Sequence, residues 1–111
     1  MIITFDNRKL KKYANDSNLA KQKMGAKRAT VFKVRLEDLA SADTFADLNH
    51  LPGRFHQLKE NRPDQWSCDL DHPYRLIFMP GENPIPKNKD GTQLFTEIRI
   101  VNIIEIEDTH K

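Results

Sequence analysis

The sequence predicts a single α+β domain, in which an N-terminal strand and helices pack on one face of a mostly antiparallel sheet of four to five strands. Helical periodicity is confined to residues 1–53, and strand alternation with turn residues fills the remainder. The length of 111 residues fits one domain, 1–111, with a core that needs no disulfide or metal. Its one cysteine, Cys68, fits a reducing environment. We expect a cytoplasmic protein that makes no contact with membranes.

The first elements are a strand and a short helix. Residues 2–5 are β-branched or aromatic and predict a strand. Asp6 or Asn7 offers an N-cap for a helix that continues through Tyr13. The polar cluster at residues 16–18 predicts a turn and the start of the next helix.

A long amphipathic segment follows at residues 19–42. Gly25 interrupts it, so we expect either one bent helix or two helices that meet there. One further helical turn is predicted at 44–48, before Pro52 and Gly53. The apolar positions that recur three and four residues apart, and that should face the core, are Ala29, Phe32, Leu36 and Leu39.

The C-terminal half predicts an antiparallel meander. Short turns separate three strand-like segments and make two hairpins, with strands at residues 54–58, 66–70 and 74–79. Residues 80–93 are rich in proline and glycine and predict a long exposed loop. A last buried strand is expected at 94–106, with one face formed by Ile98, Ile100, Ile104 and Ile106.

The formal net charge of +2 conceals an asymmetric distribution. Residues 1–35 carry ten basic side chains and two acidic ones, whereas residues 36–111 carry eight basic and fourteen acidic ones. A segment this basic favours a polyanion such as nucleic acid, or an acidic protein, as its partner. The alternative is that these cations only solvate the outer faces of helices.

Few residues suggest chemistry. The chain has no glycine-rich phosphate loop, no cysteine pair and no histidine spacing typical of a zinc site, so we expect no cofactor and no metal. Arg75 is the clearest candidate, because a guanidinium within an apolar strand must lie on the sheet face opposite the core or pair with a carboxylate. The other polar residues that stand out are Arg54, His56, Lys59, Asp108 and His110.

These residues lie in a series that resembles a known family. Leu51-Pro52-Gly53 precedes His56 and Leu58-Lys59, after which come Trp66-Ser67, the run Tyr74-Arg75-Leu76-Ile77-Phe78 and the terminal Asp108-Thr109-His110. Over nearly the whole chain, this order resembles the HigB branch of the RelE/ParE superfamily of type II toxin-antitoxin toxins. Two features depart from it: Thr109 stands where an aromatic residue is common, and the loop at 80–93 is longer than the usual turn.

The resemblance implies a ribosome-dependent endoribonuclease that cleaves mRNA in the A site without a metal. It implies a HigA-like helix-turn-helix antitoxin as inhibitor, and contact with operator DNA only through that antitoxin. His56 and His110 would be the acid/base candidates, Lys59 and Arg75 would hold the phosphate, and Asp108 would orient a histidine or act as a base. Further RNA contacts would come from Arg54, Lys27, Arg28 and Lys33.

Two other functions remain open from the sequence. A member of the superfamily can inhibit by binding DNA gyrase, as ParE-type toxins do, and the histidines and Lys59 would then be incidental. Alternatively, the chain is a catalytically degenerate interaction protein, which the threonine at position 109 favours.

Overall fold

A computed structural model describes residues 1–59 and 61–110 as an α+β fold. The N-terminal strand is followed by three α-helices and a 3₁₀ helix, and the remaining strands form most of the second half. The strands are β1 (Ile2–Phe5), β2 (His56–Gln57), β3 (Trp66–Asp69), β4 (Tyr74–Pro80) and β5 (Ile100–Asp108). The helices are α1 (Arg8–Asn15), α2 (Ser17–Met24) and α3 (Ala26–Ser41), with 3₁₀ helices at Phe45–His50 and Phe95–Glu97.

The helix boundaries follow from capping residues. The side chain of Asn7 accepts the Leu10 N–H at the start of α1, and Asp16 accepts the Leu19 N–H at the start of α2. Gly25 separates α2 from α3 with φ 86° and ψ 154°, a conformation that is almost restricted to glycine. The predicted interruption at Gly25 is therefore confirmed, as two helices.

The sheet is mixed, with strand order β1-β5-β4-β3-β2. Strands β2 to β5 form the predicted antiparallel meander, and β1 pairs in parallel with β5. The helices cover one face, where apolar residues of α1 and α3 join those of the strands in one core. The largest fully buried side chains include Trp66, Phe32, Phe45 and Phe78, and the Trp66 indole N–H donates to Gln93 Oε1 at 2.9 Å.

Three predictions for the C-terminal half are only partly right. The strand at 54–58 contracts to His56–Gln57, because Arg54 lies in a turn with φ 52°. The loop at 80–93 is not wholly exposed, since Gln93 is buried by its bond to the core tryptophan. The last strand begins at Ile100, because a 3₁₀ helix forms at Phe95–Glu97.

The expected isoleucine face of the last strand is right at two of its four positions: Ile98 is fully buried and Ile106 packs against the core, but Ile100 and Ile104 do not belong to it. A register shift beside Ile77 and Phe78 changes which residues of β5 face the helices. The fully buried residues at the start of this strand are Val101 and Ile103, whereas Ile100 and Ile104 are half-buried. Among residues 1–59 and 61–110, no helix is both long and apolar enough to cross a membrane.

Candidate functional site

The sheet face opposite the helices, called the open face below, carries two rows of mostly polar side chains, although Ser67 and Ile77 in the first row are fully buried. Strand pairing aligns His56, Ser67, Ile77 and Glu105 in one row, and Asp69, Arg75 and Glu107 in the next. Their chain neighbours Trp66, Cys68 and Leu76 point to the helices and belong to the core. Arg75 thus lies where its charge requires, on the face away from the core.

Arg75 is paired with a carboxylate. Its Nε donates to Glu107 Oε1 at 2.8 Å, and its Nη2 contacts the same oxygen. Arg62, from the loop between β2 and β3, contacts Glu107 Oε2 and lies 3.4 Å from Glu105 Oε1. We call these four residues, Arg62, Arg75, Glu105 and Glu107, the Arg–Glu cluster. Because their formal charges cancel, the cluster itself exerts little net attraction on an anion.

The cluster holds Glu107 in its ionised form. Partial burial alone raises the pKa of this carboxyl group, but hydrogen bonds and charge from Arg75, and then from Arg62, outweigh that effect. The pKa of Glu107 is consequently lowered. The Arg62, Arg75 and Glu107 side chains are each about a quarter exposed, so that the ion pairs are only partly shielded from water.

The C-terminal residues are attached to the turn between β3 and β4. Both the N–H and the hydroxyl of Thr109 donate to the Pro73 carbonyl, at 3.0 and 2.8 Å. The His110 N–H donates to Asp108 Oδ1 at 2.9 Å, and its ring Nε2 lies 3.1 Å from Nε2 of His72. One proton must lie between these two ring nitrogens, since two bare lone pairs would repel each other.

His56 has a defined tautomer. Its Nδ1 lies 2.7 Å from the Arg54 carbonyl oxygen, so Nδ1 must carry the proton. In the neutral ring, Nε2 is then an acceptor, and the hydroxyl of Ser67 lies 3.4 Å from it. This nitrogen therefore faces a hydroxyl that is fully buried. Arg54 pairs with Asp69 at 3.2 Å but remains 74% exposed, and Lys59 is exposed.

The structure brings together some of the predicted site residues but not all. Arg75 and Asp108 line one open depression of about 620 Å³, together with Tyr74, Glu105, Ile106, Glu107 and Thr109. His110 does not line this depression; its backbone N–H donates to Asp108, and its ring lies against His72. His56 lies elsewhere, because β3 and β4 separate β2 from β5 by about 14 Å.

The predicted RNA contacts on the helices divide into two kinds. Lys27 and Lys33 are exposed on α3. Arg28 instead binds Asp71 at 3.0 Å and stacks 3.4 Å above the Tyr74 ring, so that it connects α3 with the β3–β4 turn. Arg35 connects α3 with the end of β3, because its Nε donates to the Asp69 carbonyl at 2.7 Å. Both arginines have structural contacts that their positions in the sequence did not reveal.

The sequence did not lead us to predict three residues of the candidate site, Arg62, Glu107 and His72. Glu107 could have been found from the sequence, because Glu105 and Glu107 alternate with isoleucines in the last strand. Arg62 had none, since it lies in a loop whose path over the open face depends on tertiary structure. His72 likewise required the fold of the C-terminus.

Over the described ranges 1–59 and 61–110, no three histidine, cysteine, aspartate or glutamate side chains are grouped so that they could hold a metal ion. The chain matches no family model, and no curated protein is similar enough in sequence to be counted as a relative.

Proposed function

We propose that this chain is a HigB-like toxin with a RelE/ParE-type fold, which cleaves mRNA in the ribosomal A site without a metal. The observation that carries the proposal is the open sheet face, where Arg75 lies at a depression that also contains Asp108 and Thr109. The motif series in the sequence and the attachment of the C-terminus to the β3–β4 turn support the same function. A terminus held by Pro73 and His72 can carry a catalytic side chain.

The proposed reaction is an internal phosphoryl transfer. A base removes the proton of a ribose 2′-hydroxyl, and the oxygen attacks the adjacent phosphorus. The bond to the 5′ oxygen then breaks, and an acid protonates this leaving group. The products are a 2′,3′-cyclic phosphate and a free 5′-hydroxyl. Cations that hold the phosphate oxygens stabilise the added negative charge of the transition state.

The residues of the site can supply these roles. Arg75 would hold the phosphate, and the exposed Lys59 would add a second cation from the end of β2. His110, whose backbone is held by Asp108 and whose ring contacts His72, is one acid/base candidate. His56, whose Nε2 is an acceptor in the neutral ring, is the candidate base from the other side of the open face.

The proposed RNA partner follows from the charge distribution, and the proposed antitoxin follows from the family resemblance. The exposed lysines of the helices, including Lys27 and Lys33, would contact ribosomal RNA, since phosphate contacts require little sequence specificity. The proposed inhibitor is a HigA-like helix-turn-helix antitoxin, through which alone the toxin would contact operator DNA. A small helix-turn-helix protein encoded beside this gene would agree with that partner.

Expression in bacteria tests the nuclease directly. Induction should arrest growth, and primer extension should show cuts within translated codons. Arg75→Ala and His110→Ala should relieve the arrest, whereas the exposed controls Arg99→Ala and His50→Ala should remain toxic. Full toxicity of both site variants would show that the assigned residues are wrong.

The pairing of Arg75 with Glu107 favours a second candidate, because an arginine already neutralised need not bind phosphate. The protein would then inhibit DNA gyrase by binding, or would be a degenerate toxin that only binds other proteins. Growth arrest with intact messages and poisoned gyrase would support the former. Absence of any arrest, with retained antitoxin binding, would support the latter.

A further inference from the structure

The Arg–Glu cluster has the form of an occupied anion site. The two oxygens of the Glu107 carboxylate are held by different guanidinium groups, Oε1 by Arg75 and Oε2 by Arg62. A phosphodiester also carries one negative charge on two equivalent oxygens, and guanidinium groups bind both anions by paired charge-assisted hydrogen bonds. Glu107 therefore lies where the two non-bridging oxygens of a phosphodiester would bind.

The loop that carries Arg62 is held in place from several directions. Arg62 Nη1 donates to Gln65 Oε1 at 2.9 Å within the loop. Asp64 pairs with Lys87 at 3.0 Å, and its carbonyl accepts the Gln93 amide at 3.1 Å. Because these contacts do not involve Glu107, Arg62 is positioned independently of the carboxylate that it binds.

Glu107 has less to hold it. Within the described ranges, its side-chain hydrogen bonds come from Arg62 and Arg75 alone. It lies near the end of β5 and lines the open depression of about 620 Å³, into which a carboxylate can rotate. An incoming anion can therefore replace Glu107 without disturbing the strand pairing.

We infer that Arg62 and Arg75 together bind the phosphodiester of RNA, and that Glu107 occupies their site until RNA displaces its carboxylate. This inference rests on the proposed function. Arg62 is thus a binding residue that the motif series does not contain. Glu107 is a built-in competitor, and it lowers the affinity of the free protein for RNA by keeping most molecules in the occupied state.

The test is binding of a short single-stranded 2′-O-methyl oligoribonucleotide, which the protein cannot cleave, measured by fluorescence anisotropy. Glu107→Gln should bind about tenfold more tightly than the unaltered protein, the factor expected for one lost charge-assisted competitor. Glu97→Gln makes the same charge change at an exposed, distant site and should alter the affinity less than about twofold.

The role of Arg62 is tested in the tighter-binding background. Adding Arg62→Gln to Glu107→Gln should remove the gain, and adding the exposed control Arg99→Gln should not. Unchanged or weaker binding by Glu107→Gln, or a gain that persists without Arg62, would overturn the inference.

A second measurement does not depend on whether the variants fold. In the unaltered protein, ¹⁵N spectra of the arginine side chains should show that the Nε resonances of both Arg62 and Arg75 move when the oligonucleotide is added. At saturating oligonucleotide, binding that moves neither resonance, or only that of Arg75, would contradict the two-arginine site.

The two proposals can fail separately. Cuts in cellular mRNA together with unchanged binding by Glu107→Gln would retain the nuclease and reject the competitor role. Tighter binding by Glu107→Gln without any cuts in cells would retain the anion site and reject ribosome-dependent cleavage.

Discussion

Replacement of Glu107 by glutamine should destabilise the fold while improving the anion site. The substitution removes the charge that both Arg62 and Arg75 contact and leaves the two guanidinium groups near each other. A hydrogen bond to a charged group contributes about 1.5–3 kcal/mol when shielded, and an exposed ion pair about 0.2–1 kcal/mol. Because these side chains are about a quarter exposed, the loss in free energy of unfolding should be about 1–2 kcal/mol.

The effect should depend on pH with a definite sign. The folded protein lowers the pKa of Glu107, so that its stabilising contribution is complete above 4.5, the ordinary value for a glutamate. The contribution is lost as the pH falls through the lowered folded value. The difference between the unaltered protein and Glu107→Gln should accordingly be constant near neutral pH and shrink in acid.

Urea unfolding followed by tryptophan fluorescence measures this difference. Trp66 is the only tryptophan and is 1% exposed, so its emission reports on the core. Glu105→Gln is the matched control, because Glu105 is 42% exposed, contacts Arg62 at 3.4 Å and should matter by less than about 0.5 kcal/mol. Equal losses in the two variants, or a loss for Glu107→Gln that is the same at pH 3 and pH 7, would refute the reasoning.

Three further outcomes test the fold by the same unfolding assay or by chemistry. Gly25→Ala should lower the free energy of unfolding by about 1–3 kcal/mol. Backbone strain would be the whole cause, because an added Cβ meets no atom within 4 Å. A loss near zero would mean that the helix junction relaxes. Leu39→Ala should lower the free energy of unfolding by about 2–5 kcal/mol, and the exposed Val34→Ala should lower it by less than about 0.5 kcal/mol. Similar losses in the two variants would show that the core has been assigned to the wrong residues. Burial raises the pKa of the Cys68 thiol despite Arg35, so iodoacetamide should modify it only after unfolding, and rapid labelling at neutral pH in native conditions would contradict this.

Local features of the fold could be predicted because their causes are local. The break at Gly25 and the caps at Asn7 and Asp16 depend on residues within a few positions of each other. The bulge beside Ile77 could not be predicted, since it arises from how β4 pairs with β5 rather than from either strand alone. The error in the expected isoleucine face follows directly from this register shift.

In the candidate site too, features with local causes could be predicted, and features that depend on tertiary structure could not. The position of Arg75 on the open face followed from placing a charge within an apolar strand, and its pairing with a carboxylate was one of two stated outcomes. The identity of that carboxylate required the register that aligns Arg75 with Glu107. Arg62 required the path of a loop, for which strand alternation gives no information.

The charge asymmetry of the sequence acquires a spatial meaning in the fold. The basic helices lie across the core from the open face, and their lysines, such as Lys27 and Lys33, are exposed. The four charges of the Arg–Glu cluster cancel, so the cluster itself adds little to the long-range attraction of a polyanion, whereas the exposed lysines of the helices add to it. Under the proposed function, the helices would provide affinity for ribosomal RNA, and the open face would bind a phosphate only after Glu107 leaves. Activity should therefore depend on delivery of the message to the open face by the ribosome, and binding of free RNA to that face should remain weak while Glu107 is present.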